Sequence, residues 1–140
     1  KGFTKNKKEG DKKTPKGNFE IENLYFRKDR LNKPSTLLKC VAIKEDMGWC
    51  DDIHFPKKYN RLFKIVEKIR HEKLNRKDHK YDLLIPIKYN FKKPISGLGS
   101  CIFIHLTKDY KPTAGCIALK KKDFLIMLKL IKKNSKIKIF

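Results

Sequence analysis

The sequence is poor in the features that assign a chain to a class at sight. No Cys-x-x-Cys step occurs among its four cysteines, and no spacing of cysteine and histidine matches a structural zinc site. Four cysteines in 140 residues, Cys40, Cys50, Cys101 and Cys116, do not make a disulfide framework. No apolar run is long enough to cross a bilayer; stretches such as Phe124 to Leu128 are far too short. Acidic residues number 15 against 36 basic ones, a formal net charge of +21. Yet only 5 of those 36 are arginine, the residue that bidentate phosphate or base-edge recognition favours.

What is present describes one globular domain spanning residues 1–140, long enough to bury a core. A hydrophobic content of 39% with 11% aromatics is too high for a disordered chain, despite 36% charged residues. The lysines are scattered through the chain rather than gathered on one helix or tail. They accompany heavy use of Ile, Asn and Phe, a profile that A/T-rich codons produce. The charge therefore reads as a solvated surface, and no specific nucleic-acid partner is expected. Such a surface still attracts acidic partners.

Periodicity predicts a mainly β fold. Residues 5–18 read as a loop, with two glycines and a Thr-Pro step. Phe19 to Phe26 and Leu37 to Ile43 read as strands, and Glu45 to Pro56 as irregular chain. Leu62, Ile65, Val66 and Ile69 fall at helical spacing and predict an amphipathic helix over Lys58 to Lys73. Tyr81 to Tyr89 is an apolar strand whose Pro86 marks an edge or a bulge. Cys101 to Leu106 is a further strand, Lys121 to Lys132 a second helix, and Ile137 and Ile139 alternate in a last strand. Both helices are expected on the outside of the β core.

The most informative stretch runs from Ile102 to Leu119. An apolar run delivers His105, a polar turn follows, and Ala114-Gly115 presents Cys116. A thiolate is the reactive form of cysteine, so a base or an imidazolium within hydrogen-bond reach is what its chemistry needs. A preceding glycine leaves the backbone free to turn N–H groups toward a developing oxyanion. The same spacing also fits a buried cysteine in a strand-turn-strand. Cys40 and Cys101, inside apolar runs, read as small core residues. Cys101, His105 and Cys116 do not form a recognisable metal pattern, and neither a metal nor a cofactor is expected.

The motif resembles that of the YkuD-type L,D-transpeptidase family, in which a histidine on a strand precedes a small-residue-Gly-Cys step. Glu9-Gly10-Asp11-Lys12-Lys13-Thr14-Pro15-Lys16-Gly17 resembles the family's Gly-Asp…Thr-Pro-x-Gly segment, and Met47 to Asp52 and Asp78 to Asp82 are similar to stretches of a signal-less branch. The similarity runs from about Lys5 to Leu128. It implies a β core with peripheral helices, and cysteine-dependent acyl transfer on peptidoglycan stem peptides. Cys116 is then the nucleophile and His105 its base, with Gly115 beside the oxyanion and the Leu106 carbonyl orienting the imidazole. The thiol of such a site is expected to be acidic and to alkylate near neutral pH. Better-known members carry Ser-His-Gly-Cys where this chain has Thr113, Ala114, Gly115 and Cys116, so a second histidine is absent. The separation of His105 from Cys116, eleven positions, is short and implies a differently shaped acceptor side. Water as acceptor, giving an L,D-carboxypeptidase, is therefore the alternative to crosslinking. A basic binding module with an inert cysteine is the reading from another class.

Other residues compete for roles. Tyr110, between His105 and Cys116, and Thr113 are expected at the substrate. Trp49 and Arg61 are read as a wall and an anion clamp for substrate, or else Trp49 as an aromatic lid over the core. Adjacent carboxylates such as Asp51 and Asp52 point to opposite faces of an extended chain, which favours turn bonding over shared-proton chemistry. His71 and His79 read as solvated or hydrogen-bonded histidines. A monomer is expected, with muropeptides as partners. No secretory signal is visible; Lys1-Gly2-Phe3 enters the domain abruptly, so the location expected is the cell envelope if a signal was removed and the cytoplasm otherwise.

Overall fold

β-branched and aromatic residues dominate the apolar positions of this chain, and the way their strands pair decides where the reactive side chains go. A computed structural model describes residues 1–66 and 68–140. In chain order the strands are β1 (Phe3–Thr4), β2 (Thr14–Pro15), β3 (Gly17–Glu20), β4 (Leu24–Phe26), β5 (Cys40–Ala42), β6 (Met47–Cys50), β7 (Leu62–Lys64) and β8 (His71–Lys73). They continue as β9 (Leu83–Pro86), β10 (Phe103–Leu106) and β11 (Ile117–Leu119); then come the helix α1 (Lys121–Leu130) and β12 (Lys136–Ile139).

The central sheet has the order β11-β10-β9-β4-β5. Side chains alternate across it. Leu24, Phe26, Leu83, Ile85, Ile104 and Leu106 point to one face, where Phe124 and Leu128 of α1 complete a core. Tyr25, Leu84 and Phe103 point to the other, where they meet Trp49, Leu74 and Tyr81. That second core is covered by a smaller sheet of order β7-β6-β8. The helix is placed by Phe124 and Leu128, four apart and both fully buried. Asp123 in its first turn and Lys129 in its last suit the helix dipole.

Four expectations change. Among the described residues from Lys58 to Lys73, the expected helix does not form. Leu62–Lys64 instead pairs antiparallel with one side of β6, and His71–Lys73 with the other. Gly48, in the middle of β6, explains why. A Cβ there would lie 2.9 Å from Ile65 and 3.0 Å from His71, so the missing side chain lets Phe63 and His71 close over the strand edge to face, with centroids 5.5 Å apart. Cross-strand packing of β-branched and aromatic residues outweighs helical spacing here. For the same reason Met47–Cys50 is a strand rather than irregular chain. Pro86 lies on the central strand of the large sheet, not on an edge or a bulge; it is the last residue of β9, in regular register opposite Phe103. The segment expected as a loop over residues 5–18 also gives up Thr14–Pro15 and Gly17–Asn18 to short strands.

Phe124 is the largest side chain that α1 contributes to the core, at 0% exposure. Phe124→Ala should therefore lower unfolding stability by about 3–5 kcal/mol, read from urea melts of the two proteins.

Candidate active site

The pairing of β10 sets the site. Antiparallel to β9 and parallel to β11, it aligns Ile104 with Ile117 and His105 with Ala118. Ile117 and Leu119 pack toward the helix, so alternation turns Cys116 to the opposite face. His105 follows Phe103 to that same face. The two residues singled out by the motif thus share one side of the sheet.

His105 is buried, at 6% exposure. Its Nδ1 lies 2.9 Å from the Leu106 carbonyl, a contact that puts the proton on Nδ1 and leaves Nε2 as the basic nitrogen. Tyr81 packs against the imidazole edge to face, centroids 5.6 Å apart. Burial lowers the histidine's pKa below the usual value; Lys80 and Arg76 lower it further, while the Leu106 carbonyl and Glu72 oppose them.

Cys116 is partly buried, and its Sγ donates to the Cys101 carbonyl at 3.2 Å. Burial pushes its thiol up to about 11, against the pull of the Phe103 N–H. The expectation of an acidic thiol is corrected in this state: no neighbouring cation outweighs the loss of water. The residue before it holds the turn. Gly115 has φ +111, and a Cβ there would lie 2.7 Å from the Lys13 carbonyl oxygen, so only glycine fits. Thr113 Oγ1 closes the same turn by donating to the Cys116 carbonyl at 2.5 Å.

A cavity of about 660 Å³ opens over this face. His105, Cys116 and Thr113 line it, as do Lys7 and Glu9 from the N-terminal segment and Glu72, Arg76, His79 and Tyr81 from the smaller sheet and the loop after it. Glu72 accepts from Tyr81 Oη at 3.0 Å and Arg76 at 3.1 Å; Arg76 also grips Asp78 through two nitrogens. His79, expected to be solvated or hydrogen-bonded, instead has its Nε2 buried without a hydrogen-bond partner among the described residues. Of these lining residues, Lys7, Glu72 and Arg76 carried no signal in the sequence, whereas Glu9 lay in the Gly-Asp…Thr-Pro-x-Gly segment and His79 and Tyr81 in the Asp78 to Asp82 stretch.

Three expected substrate residues are elsewhere. Trp49 is 3% exposed and packs against Phe103, with its Nε1 donating to Asn60 at 2.9 Å; it belongs to the core beneath the site. Arg61 is exposed and reaches only toward the Lys92 carbonyl at 3.5 Å. Tyr110 turns away to the start of α1, where its hydroxyl lies 3.3 Å from Asp123. Leu106 meets His105 through its backbone carbonyl, and Gly115 shapes the turn before Cys116. Asp52 accepts from the backbone N–H of His54 and Arg70, the turn bonding expected of it. His71 Nδ1 lies 2.6 Å from the Ile69 carbonyl, in the smaller sheet. Among the described residues, no cluster of histidine, cysteine and carboxylates suits a metal ion, and no helix is long and apolar enough to cross a membrane.

Residues 2–139 match the family model YkuD, the L,D-transpeptidase catalytic domain. No curated protein and no solved structure matches the chain.

The two pKa directions shape stability. Folding raises the thiol pKa of Cys116, so its contribution is full below an ordinary thiol's pKa and is lost as pH climbs toward about 11. Folding lowers the pKa of His105, so its contribution is present above the ordinary histidine value and lost as pH falls through the lowered one. Urea midpoints should therefore be flat between roughly pH 6.5 and 8.5 and fall on both sides. Site-mapped alkylation of Cys116 in the free protein should keep accelerating above pH 9; a plateau near pH 7 would show that the thiol is not governed by burial.

Proposed function

Because the chain belongs to the L,D-transpeptidase catalytic-domain family, we propose that it transfers the acyl group of a peptidoglycan stem tetrapeptide through a thioester on Cys116. The observation that carries this reading is the sheet register. It sets His105 and Cys116 on one face of a cavity, with Nδ1 of the histidine held by the Leu106 carbonyl.

The raised thiol and the lowered imidazole favour a neutral pair over a resting ion pair. His105 is then the general base. As Sγ attacks the carbonyl of the bond between the L-centre of diaminopimelate and D-alanine, the thiol proton passes to Nε2. Backbone N–H groups around Gly115 and Cys116 hold the oxyanion. The C–N bond breaks, the imidazolium returns its proton to the departing amine, and D-alanine leaves behind a thioester. In the second half the acceptor attacks that carbonyl, His105 takes the acceptor's proton, and the thiol is restored as that proton returns to Sγ. An amine from another stem gives a crosslink. The short chain from His105 to Cys116 favours a second reading, in which water is the acceptor and the product a trimmed tripeptide.

Incubation with tetrapeptide stems, followed by mass spectrometry, should show release of D-alanine; dimers appear if amines are accepted and tripeptides if water is. Cys116→Ala should abolish both, and His105→Gln should slow them by about 10²–10⁴-fold. Cys40→Ala should keep its activity per folded molecule. Turnover by Cys116→Ala would overturn the reading.

A further inference from the structure

One charged group of the cavity has no part in the steps above. The side chain of Lys7 is only 4% exposed, and an ammonium so placed is costly unless it is paired. Its Nζ donates to Asp11 Oδ1 at 2.5 Å and to the Lys8 carbonyl at 2.8 Å, two of the three bonds that an ammonium can make. Asp11 is fixed in turn by the backbone N–H groups of Lys8 and Lys13, both at 2.9 Å. This clamp sets the ammonium's position instead of leaving it at the end of a free stem.

The fold makes room for that lysine. Gly99 has φ +97, and a Cβ there would sit 2.7 Å from Lys7 Cγ and 3.4 Å from Nζ. The loop carrying Gly99 is tied to the lysine's own segment: the Glu9 N–H donates to the Gly97 carbonyl at 2.8 Å, and the Glu9 carboxylate accepts from both Ser100 and Tyr59. Lys7 lines the same cavity as Cys116. Apart from burial and the Phe103 N–H, two charges act on the thiol: Glu72 pushes its pKa up and Lys7 draws it down. A lysine serving solubility alone would extend into water, at no desolvation cost.

We propose that the Lys7 ammonium, with Asp11 as its fixed counter-ion, is a carboxylate-binding subsite that orients ligands whose carboxylate lies beside the carbonyl attacked by Cys116. This rests on the reading of Cys116 as the reactive thiol. A stem ending in D-alanine carries such a carboxylate on the leaving residue. The subsite would select free C-termini over amidated ones by charge and by the third N–H.

Two measurements test it without peptidoglycan. In the wild-type protein, millimolar N-acetyl-D-alanine should protect Cys116 from iodoacetamide while N-acetyl-D-alaninamide does not. In Lys7→Met, which keeps the apolar stem, that protection should vanish. The rate of Cys116 alkylation by anionic iodoacetate relative to neutral iodoacetamide should also fall about fivefold in that variant, the scale of one unit charge across a partly solvated cavity. Lys7→Arg should retain the wild-type ratio. Equal protection by acid and amide in the wild type, protection by neither, or an unchanged ratio in Lys7→Met would overturn the subsite. Should acid-selective protection hold while stem tetrapeptides are not turned over, the subsite stands and the substrate assignment falls.

Discussion

Everything at the site depends on the parallel pairing of β10 with β11, which is set by one register, Ile104 opposite Ile117. A slip of one residue would turn Cys116 into the helix-side core and leave His105 facing the cavity alone, because side chains alternate with period two. The register is held from both faces. Ile104 and Leu106 are locked against Phe124 and Leu128, while Phe103 is packed between Trp49 and Tyr81. The connection from β10 to β11 passes through Gly115, where a Cβ would lie 2.7 Å from the Lys13 carbonyl oxygen. Core packing and the placement of the thiol are thus one constraint.

The same packing that positions the thiol and imidazole also dries them. Desolvation dominates both groups, lowering the pKa of His105 and raising that of Cys116, which favours the uncharged form of each. In the mechanism proposed above, an uncharged thiol and imidazole would leave proton transfer to the moment when a carbonyl occupies the cavity. Charge enters through the walls, where Glu72 raises the thiol's pKa and the clamped Lys7 lowers it. The protein's large positive charge lies mostly outside this arrangement, on solvated lysines whose field is screened within about 10 Å at ordinary salt. Lys7, by contrast, is built into the cavity itself.

Trp49 and Gly48 show how position changes a residue's meaning. A lone tryptophan beside acids and near an arginine reads either as a binding wall or as an aromatic lid over the core; here its indole N–H is satisfied by Asn60, which also takes the Cys101 N–H and bonds the Tyr89 and Asn90 carbonyls. It is a support under the catalytic-domain sheet rather than part of the cavity. Gly48, in a stretch that reads as irregular chain, sits in the middle of a three-stranded sheet, where Ile65 and the rings of His71 and Phe63 occupy the space of a side chain.

The sequence by itself determined the mainly β character, the helix after Cys116, and the pairing of interest between His105 and Cys116. These follow from local patterns: alternation, an i to i+4 apolar pair, and a small-residue turn before a cysteine. The resemblance of the Gly-Asp…Thr-Pro-x-Gly and Ala-Gly-Cys segments was equally legible, and it pointed to the family that residues 2–139 match. Only the tertiary structure decided that Leu62–Lys64 and His71–Lys73 are strands, since the gain lies in pairing with β6 and not in their own spacing. It also decided which charged groups line the cavity. Lys7, Glu9, Glu72 and Arg76 are ordinary in a lysine-rich sequence and become distinctive through burial and partners, which depend on residues far away along the chain. The protonation of the thiol was beyond sequence for the same reason. A motif names the groups, but their pKa values depend on how much water the whole fold removes from them.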